Sequence, residues 1–119
     1  MPKQQFSTAT TAKAGDVVTA SVAGAHATKR RPAVVVSSDL YHQLRPDVVI
    51  GVLTTNVAAA HAPTDYFLQD WQLAGLHRAS AFRSFFVTLP ARDVTVIGRL
   101  SAADWSGVQA CLKLALDVP

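Results

Sequence analysis

The sequence predicts an α+β fold, in which a curled, mostly antiparallel sheet carries short helices and ends in a C-terminal helix. Short runs of β-branched and aromatic residues, separated by turn residues, fill most of the chain. Two runs, 33–36 and 48–53, are apolar on consecutive residues, which is typical of strands covered on both faces. Apolar residues near the C-terminal end recur at helical spacing. Many short strands followed by one helix indicate this fold class.

The chain has 119 residues, of which 50% are hydrophobic and 16% are charged. That composition is sufficient for one hydrophobic core, and the length is too short for two ordinary domains. Residues 1–13 are rich in Thr, Ser, Gln and Lys, so we expect a disordered N-terminal arm there. The predicted domain therefore covers residues 14–119.

The first half of the domain contains three predicted strands. A β-branched stretch at 17–22 predicts the first, and Gly24 opens a loop that we expect to end at Lys29. Pro32 begins the run 33–36, which should form a central strand. The run 48–53 predicts a second covered strand, which leads directly into polar residues.

Between these two covered strands, a short helical turn is expected. Ser37 or Ser38, followed by Asp39, offers an N-terminal cap, and the turn extends through Leu44 until Pro46 stops it.

The second half predicts three shorter strands and the terminal helix. The strands are expected at 66–68, at 82–89 before Pro90, and at 94–97. Ser101 and Asp104 approximate a capping box, and the apolar face of the helix consists of Trp105, Val108, Leu112 and Leu116.

The charge distribution favours a polyanionic or acidic partner. Eleven Lys and Arg face eight acidic residues, all Asp, and the strongest basic run is Lys29, Arg30 and Arg31. A solvated loop is the alternative explanation of this run. Arg31 could likewise cap a sheet edge, and Thr54 and Thr55 could simply end a strand.

Several familiar sites have no counterpart in the sequence. It contains no glycine-rich phosphate loop, no HExxH motif and no pair of cysteines, and its four histidines lack metal-ligand spacing. We therefore expect no metal and no cofactor. The single cysteine, the start without a secretory signal and the lack of a 20-residue apolar segment predict a cytoplasmic protein with no membrane association.

Five sequence blocks, in order, resemble the MazF/PemK toxin family: GDVV, KRRPAVVVSSDLY, RPDVVIGVLTTN, AGLHRAS and VIGRLSAADW. The resemblance covers roughly residues 15–116. It implies a small SH3-like barrel of the CcdB/MazF/PemK type and a toxin of a type II toxin–antitoxin system. The implied activity is metal-independent, sequence-specific cleavage of single-stranded RNA, which leaves a 2′,3′-cyclic phosphate. The implied partners are a second copy of the chain and a cognate antitoxin.

The resemblance implies Arg31 and Thr54 as catalytic residues, because they match the family's arginine before proline and its threonine after the buried strand. A guanidinium can hold two oxygens of a phosphate under attack, and a threonine hydroxyl can donate to one of them. Arg31 is a poor proton donor, so its role is electrostatic. Candidate acids or bases are His26 and His77, although exposed loop positions are the simpler explanation of both.

Substrate binding is assigned to residues close to this pair. Lys29 and Arg30 are expected along the RNA backbone and Asn56 at a base edge, and Thr55 is expected to bind substrate beside them. Arg83 is expected to bind phosphate or to pair with an Asp. The aromatic residues of the same segment favour the core over a stacking role, namely Phe82, Phe85 and Phe86.

Two departures from the family pattern keep other functions open. The first strand reads Thr19–Val22, without the usual acidic and proline residues, and the loop 23–29 is short and rich in alanine. The alternatives are a CcdB-like gyrase poison without catalytic activity and an inactive relative that binds an antitoxin.

Overall fold

The computed structural model describes residues 12–119, whose strands form one antiparallel six-stranded sheet. The strands are β1 (Asp16–Ala23), β2 (Thr28–Val35), β3 (Asp47–Thr54), β4 (Tyr66–Phe67), β5 (Ala81–Pro90) and β6 (Thr95–Arg99). The helices are α1 (Asp39–Leu44) and α2 (Ala102–Leu116), with 3₁₀ turns at Val57–Ala59 and Ala91–Asp93. The predicted fold class is confirmed. Of the predicted N-terminal arm, residues 1–11 lie outside the described residues.

The strand order β4-β5-β3-β2-β1-β6 places β2 and β3 at the centre of the sheet, as their continuous apolar runs predict. Alternate side chains of these strands enter two separate cores, one on each face. The barrel face, which the sheet curls around, buries Val18, Ala20, Ala33, Val35, Val48, Ile50 and Val52. The helix face buries Val17, Val34, Leu53 and Phe82 together with Val108 and Cys111 of α2.

The hairpin between β1 and β2 is tighter than predicted. Its loop comprises only residues 24–27, with the Gly24 N–H donating to the Ala27 carbonyl over 2.9 Å. Ala23 pairs with Thr28, so Lys29 lies within β2 and not at the end of a loop. The prediction of a longer loop was wrong because antiparallel pairing with β1 extends through the polar start of β2.

Helix α1 is fixed to the sheet by its capping segment. The Ser38 hydroxyl accepts from the Tyr41 N–H, which confirms the predicted cap. The buried Ser37 Oγ accepts from the Val49 N–H of β3 at 3.0 Å and lies 2.6 Å from Nε2 of buried His42. This pair of side chains therefore joins α1 to a central strand.

Helix α2 is anchored through a fully buried carboxylate. Asp104 accepts from the Tyr66 hydroxyl at 2.8 Å and from the N–H groups of Gln69 and Asp70 at 2.9 and 2.8 Å. A buried carboxylate is tolerated when hydrogen bonds replace its water, as they do here. Burial, reinforced by the hydrogen bond to Asp104, raises the pKa of Tyr66 to about 12.

The predicted cap at Ser101 and the apolar face of α2 are largely confirmed, since the Asp104 N–H donates to Ser101 Oγ and Val108 is fully buried. Leu116 is an exception: it is 54% exposed, whereas Cys111, which was not in the predicted stripe, packs inward. The capping box is only half formed, because the Asp104 carboxylate binds the N–H groups of Gln69 and Asp70. Within residues 12–119, no helix is both long and apolar enough to span a membrane.

Candidate functional site

Arg31 of β2 and Thr54 of β3 line the same cavity. The β2–β3 pairing ends with Ala33 opposite Val52, and Arg31 and Thr54 each lie two residues beyond that last pair, on the barrel face that Ala33 and Val52 share. Both side chains are partly buried and line a cavity of about 520 Å³ that opens to solvent. The two residues that the family resemblance singles out therefore lie in one accessible site.

Pro32 explains why a cavity separates these two strand ends. The Val36 N–H donates to the Val49 carbonyl of β3 at 2.9 Å. Because backbone groups alternate direction along a strand, Val34 and Pro32 also direct their nitrogens toward β3. Pro32 has no N–H to donate, and the β2–β3 pairing ends at Ala33 and Val52. The proline also restricts Arg31 to an extended backbone.

The hydroxyl of Thr54 is oriented by the turn that follows β3. Its Oγ1 accepts a hydrogen bond from the Asn56 N–H at 3.1 Å, the pattern of a threonine turn. Because that bond uses a lone pair, the hydroxyl proton stays available to a group in the cavity. The backbone of Asn56 therefore orients the threonine.

Strand β5 completes the cavity with Arg83 and Phe85. Gly51 pairs with Phe86 and Leu53 with Phe82, so residues 83–85 all lie opposite Val52 in a bulge. The β1–β2 hairpin closes the opposite side of the cavity, with Val22, Ala23, Gly24 and Ala25.

The cavity concentrates positive charge. Both Arg31 and Arg83 line it, whereas none of the acidic side chains in the described range 12–119 does. Among residues 12–119, the arginines within 4 Å of a carboxylate are Arg45, Arg92 and Arg99, none of which lines this cavity. Two guanidinium groups without a carboxylate partner, beside a hydroxyl and an aromatic ring, suit a ligand that carries both phosphate and a flat ring.

The remaining predicted substrate-binding residues are dispersed. Lys29 shares the face of Arg31 but does not line the cavity. Arg30 points to the helix face, where it donates to Oγ1 of Thr19 and of Thr95 at 3.2 and 3.1 Å. Thr55, the residue that follows β3, lines a second cavity of about 500 Å³.

The two candidate histidines also lie apart from the Arg31–Thr54 pair. His77 lines the second cavity, and His26 is exposed in the hairpin loop, next to the cavity residue Ala25. Neither His26 nor His77 lines the first cavity. Across residues 12–119, no group of three or more His, Cys, Asp or Glu side chains is placed to hold a metal ion.

The exposure of Phe85 corrects the prediction that all three aromatics belong to the core. Phe82 is fully buried and Phe86 packs against the helix-face core, whereas Phe85 is 54% exposed within the cavity. Strand alternation alone assigns Phe82 and Phe86 to one face and Phe85 to the other. That pattern was the available signal for a separate role of Phe85.

Residues 13–116 match the family model described as PemK-like, MazF-like toxin of type II toxin–antitoxin system. A search of curated protein sequences found no significant match. Among solved structures, the fold is similar to a mycobacterial endoribonuclease in complex with its cognate antitoxin (TM-score 0.72, 19% identity, covering 90% of this chain and 96% of that one). It is also similar to the Mycobacterium tuberculosis toxin MazF-mt6 (TM-score 0.71, 20% identity, covering 87% of this chain and 98% of that one). A chain of a MazE–MazF structure from Deinococcus radiodurans is similar as well (0.68, 21%, 90% and 96%).

Proposed function

The chain belongs to the PemK-like, MazF-like toxins of type II toxin–antitoxin systems, and on that premise we propose that it is a metal-independent, sequence-specific endoribonuclease. Its substrate is single-stranded RNA, and its action in the cytoplasm inhibits translation and growth. The observation that carries the proposal is that Arg31 and Thr54 line one open cavity, which none of the acidic side chains among residues 12–119 lines.

The proposed reaction is an internal transesterification. The ribose 2′-oxygen forms a bond to the adjacent phosphorus while the bond from phosphorus to the 5′-oxygen breaks. The products are a 2′,3′-cyclic phosphate and a 5′-hydroxyl: the 2′-hydroxyl gives up its proton and the leaving 5′-oxygen takes up one, so the protons balance and no water enters the bond that is cut. Negative charge grows on the phosphoryl oxygens as the fifth bond forms.

Arg31 and Thr54 act on that growing charge. The guanidinium, positively charged at any physiological pH, binds two phosphoryl oxygens, and the Thr54 hydroxyl donates to one of them. The Asn56 N–H donates a hydrogen bond to Oγ1 of Thr54 and so fixes its position, which means that the hydroxyl needs little reorganisation during the reaction. His26 and His77 both lie outside the lining of the cavity, and the proposal assigns charge stabilisation by Arg31 and Thr54 as the main contribution of the protein.

The decisive experiment compares R31A and T54A with the parent on labelled single-stranded RNA in EDTA. Loss of a donor to the transition state is expected to lower the cleavage rate at least about 10²-fold. Because both side chains lie at the cavity wall, we expect stability to change by no more than about 1 kcal/mol.

The matched control is R45A, which removes an exposed arginine outside the cavity that is paired with Asp47 at 3.8 Å. It should cleave like the parent. Equal cleavage by R31A, T54A and R45A would refute the assignment of the catalytic pair. A parent that leaves the RNA intact would favour the alternatives, a gyrase poison or an inactive relative.

The proposed partners are a second copy of the chain and an acidic antitoxin segment. An antitoxin segment rich in carboxylates could bind the same two guanidinium groups of the cavity, Arg31 and Arg83, that would bind RNA phosphates. This overlap supports competition between antitoxin and RNA. Sedimentation equilibrium should give a dimer mass, and a monomer at micromolar concentration would contradict that assembly.

A further inference from the structure

Phe85 places an aromatic ring in water beside the two arginines of the cavity. The ring is 54% exposed, so burial does not account for an aromatic residue at this position. Its neighbours in the same strand behave differently, since Phe82 and Phe86 both contribute to the helix-face core. An exposed ring beside unpaired guanidinium groups resembles the stacking platforms of proteins that bind single-stranded nucleic acid.

The backbone at Ser84 holds this ring in the cavity. Ser84 has a φ of +54°, a conformation that serine rarely adopts. Its Oγ donates to the Thr64 carbonyl at 2.7 Å, which ties the bulge of β5 to the preceding segment. In residues 12–119, the other positive φ outside glycine belongs to Asp117, where it ends α2. Ser84 therefore has a strained backbone conformation within a strand, and it lies between Arg83 and Phe85, the two residues of β5 that line the cavity.

The charge beside the ring is suited to a nucleotide. Arg83 lies on one side of Ser84 and Phe85 on the other, and both line the cavity with Arg31. A phosphate on the guanidinium groups would leave the attached base within reach of the ring. A cavity of about 520 Å³ has room for such a nucleotide.

We propose that Phe85 stacks on the nucleobase next to the scissile phosphate, while Arg83 binds the neighbouring phosphate. This assignment rests on the proposed function, and it names the subsite through which single-stranded RNA is held. Ser84 is a positioning residue, because it acts through the strand and touches no substrate. Stacking accepts any base, so this contact contributes affinity and not base identity.

A direct test uses F85W and a short random-sequence 2′-O-methyl RNA, which lacks the attacking hydroxyl and is not cut. Stacking of a base on the added indole should quench its fluorescence in a saturable manner. The parent contains Trp71 and Trp105, both packed at the helix face, so it supplies the background signal. Fluorescence anisotropy of a labelled oligonucleotide measures binding separately. If F85W binds the oligonucleotide but its fluorescence is quenched no more than that of the parent, the proposal is wrong.

Cleavage kinetics provide the second test. F85L keeps an apolar side chain but removes the π face, so KM should rise about tenfold to a hundredfold, with a smaller change in kcat. F85Y retains a ring and should stay close to the parent. The matched control is F67L, because Phe67 is 48% exposed on β4 and does not line the cavity. An equal KM for F85L, F67L and the parent would refute the stacking role.

The two proposals fail in distinguishable ways. If the parent does not cut RNA but F85W is quenched by the uncut oligonucleotide, the nuclease assignment falls and the stacking subsite stands. If the parent cuts RNA and F85L does so with an unchanged KM, the stacking subsite alone is wrong.

Discussion

At the scale of single residues, the chain uses polar side chains to secure segments that apolar packing does not hold. The Ser37–His42 pair joins α1 to β3, and Ser84 ties the bulge of β5 to Thr64. Helix α1 has only six residues, and its Leu40 and Leu44 are exposed. Its attachment therefore depends strongly on the buried hydrogen bonds of His42 and Ser37.

The His42 contact predicts a loss of stability in mild acid. Burial lowers the pKa of His42 below its ordinary value of 6.5, and the nearby Asp39 only partly opposes this effect. The unfolded chain therefore takes up the proton first. The stabilising contribution is complete above pH 6.5 and is lost as the pH falls through that value toward the folded-state pKa.

Urea unfolding of the parent and H42Q at pH 7.5 and pH 5 measures this contribution. The parent should lose more stability than H42Q between the two values, because glutamine retains polar hydrogen-bonding groups and does not titrate. H61Q, which changes an exposed histidine, is the control and should follow the parent. Parallel losses in parent and H42Q would contradict the role of His42.

At the scale of elements, the placement of α2 depends on a glycine that helix propensity disfavours. A Cβ atom on Gly107 would lie 2.2 Å from Cε1 of the Tyr66 ring. The missing side chain lets Tyr66 pass across the helix and donate to Asp104, one turn earlier. Gly107 has a low helix propensity, yet its missing side chain leaves the space in which Tyr66 reaches Asp104 and anchors the helix.

Gly107→Ala should therefore destabilise the protein, although alanine is the better helix former. The gain in propensity is about 1 kcal/mol. Displacing Tyr66 forfeits a hydrogen bond to a charged group, which contributes about 1.5–3 kcal/mol, together with ring packing.

A double-mutant cycle by urea unfolding checks the cause. In a Tyr66→Ala background the ring is absent, so the second change, Gly107→Ala, should become neutral or stabilising. A similar loss in both backgrounds would show that the ring is not responsible.

Most of the strands and helices could be predicted from local patterns of the sequence. Which side chains enter the cavity of Arg31 and Thr54 could not be predicted in the same way. Continuous valine-rich runs identify central strands because burial on both faces leaves no polar alternation. Arg30 alternates with Arg31 because β2 already begins at Thr28, within the stretch that the sequence predicts as a loop, so alternation could not be applied there from the sequence. Thr55 lies after the end of β3, where alternation no longer applies, and lines the second cavity. The bulge at Ser84 also escaped prediction, because no glycine marks it.

At the scale of the whole molecule, the two cores are not independent. Strands β1, β2 and β3 contribute to both, so a loss of packing on the barrel face weakens the support of the helix face. We therefore expect unfolding in a single cooperative step.

Ile50→Ala tests this expectation on the barrel face. Truncating a fully buried isoleucine should cost about 2–5 kcal/mol. Trp71 and Trp105 report on the opposite face, so their fluorescence and the far-UV circular dichroism should shift to the same lower urea midpoint. Leu116→Ala, at an exposed position, should leave the midpoint almost unchanged. Separate midpoints for the two signals would show that the cores unfold independently.

The break in pairing at Pro32 is covalent in origin. An imino nitrogen carries no hydrogen, so neither thermal motion nor repacking of nearby side chains can complete the hydrogen-bond ladder toward β3 at that position. The entrance between the two strand ends thus exists before any ligand arrives. A ligand that enters there spends none of its binding free energy on separating the strands.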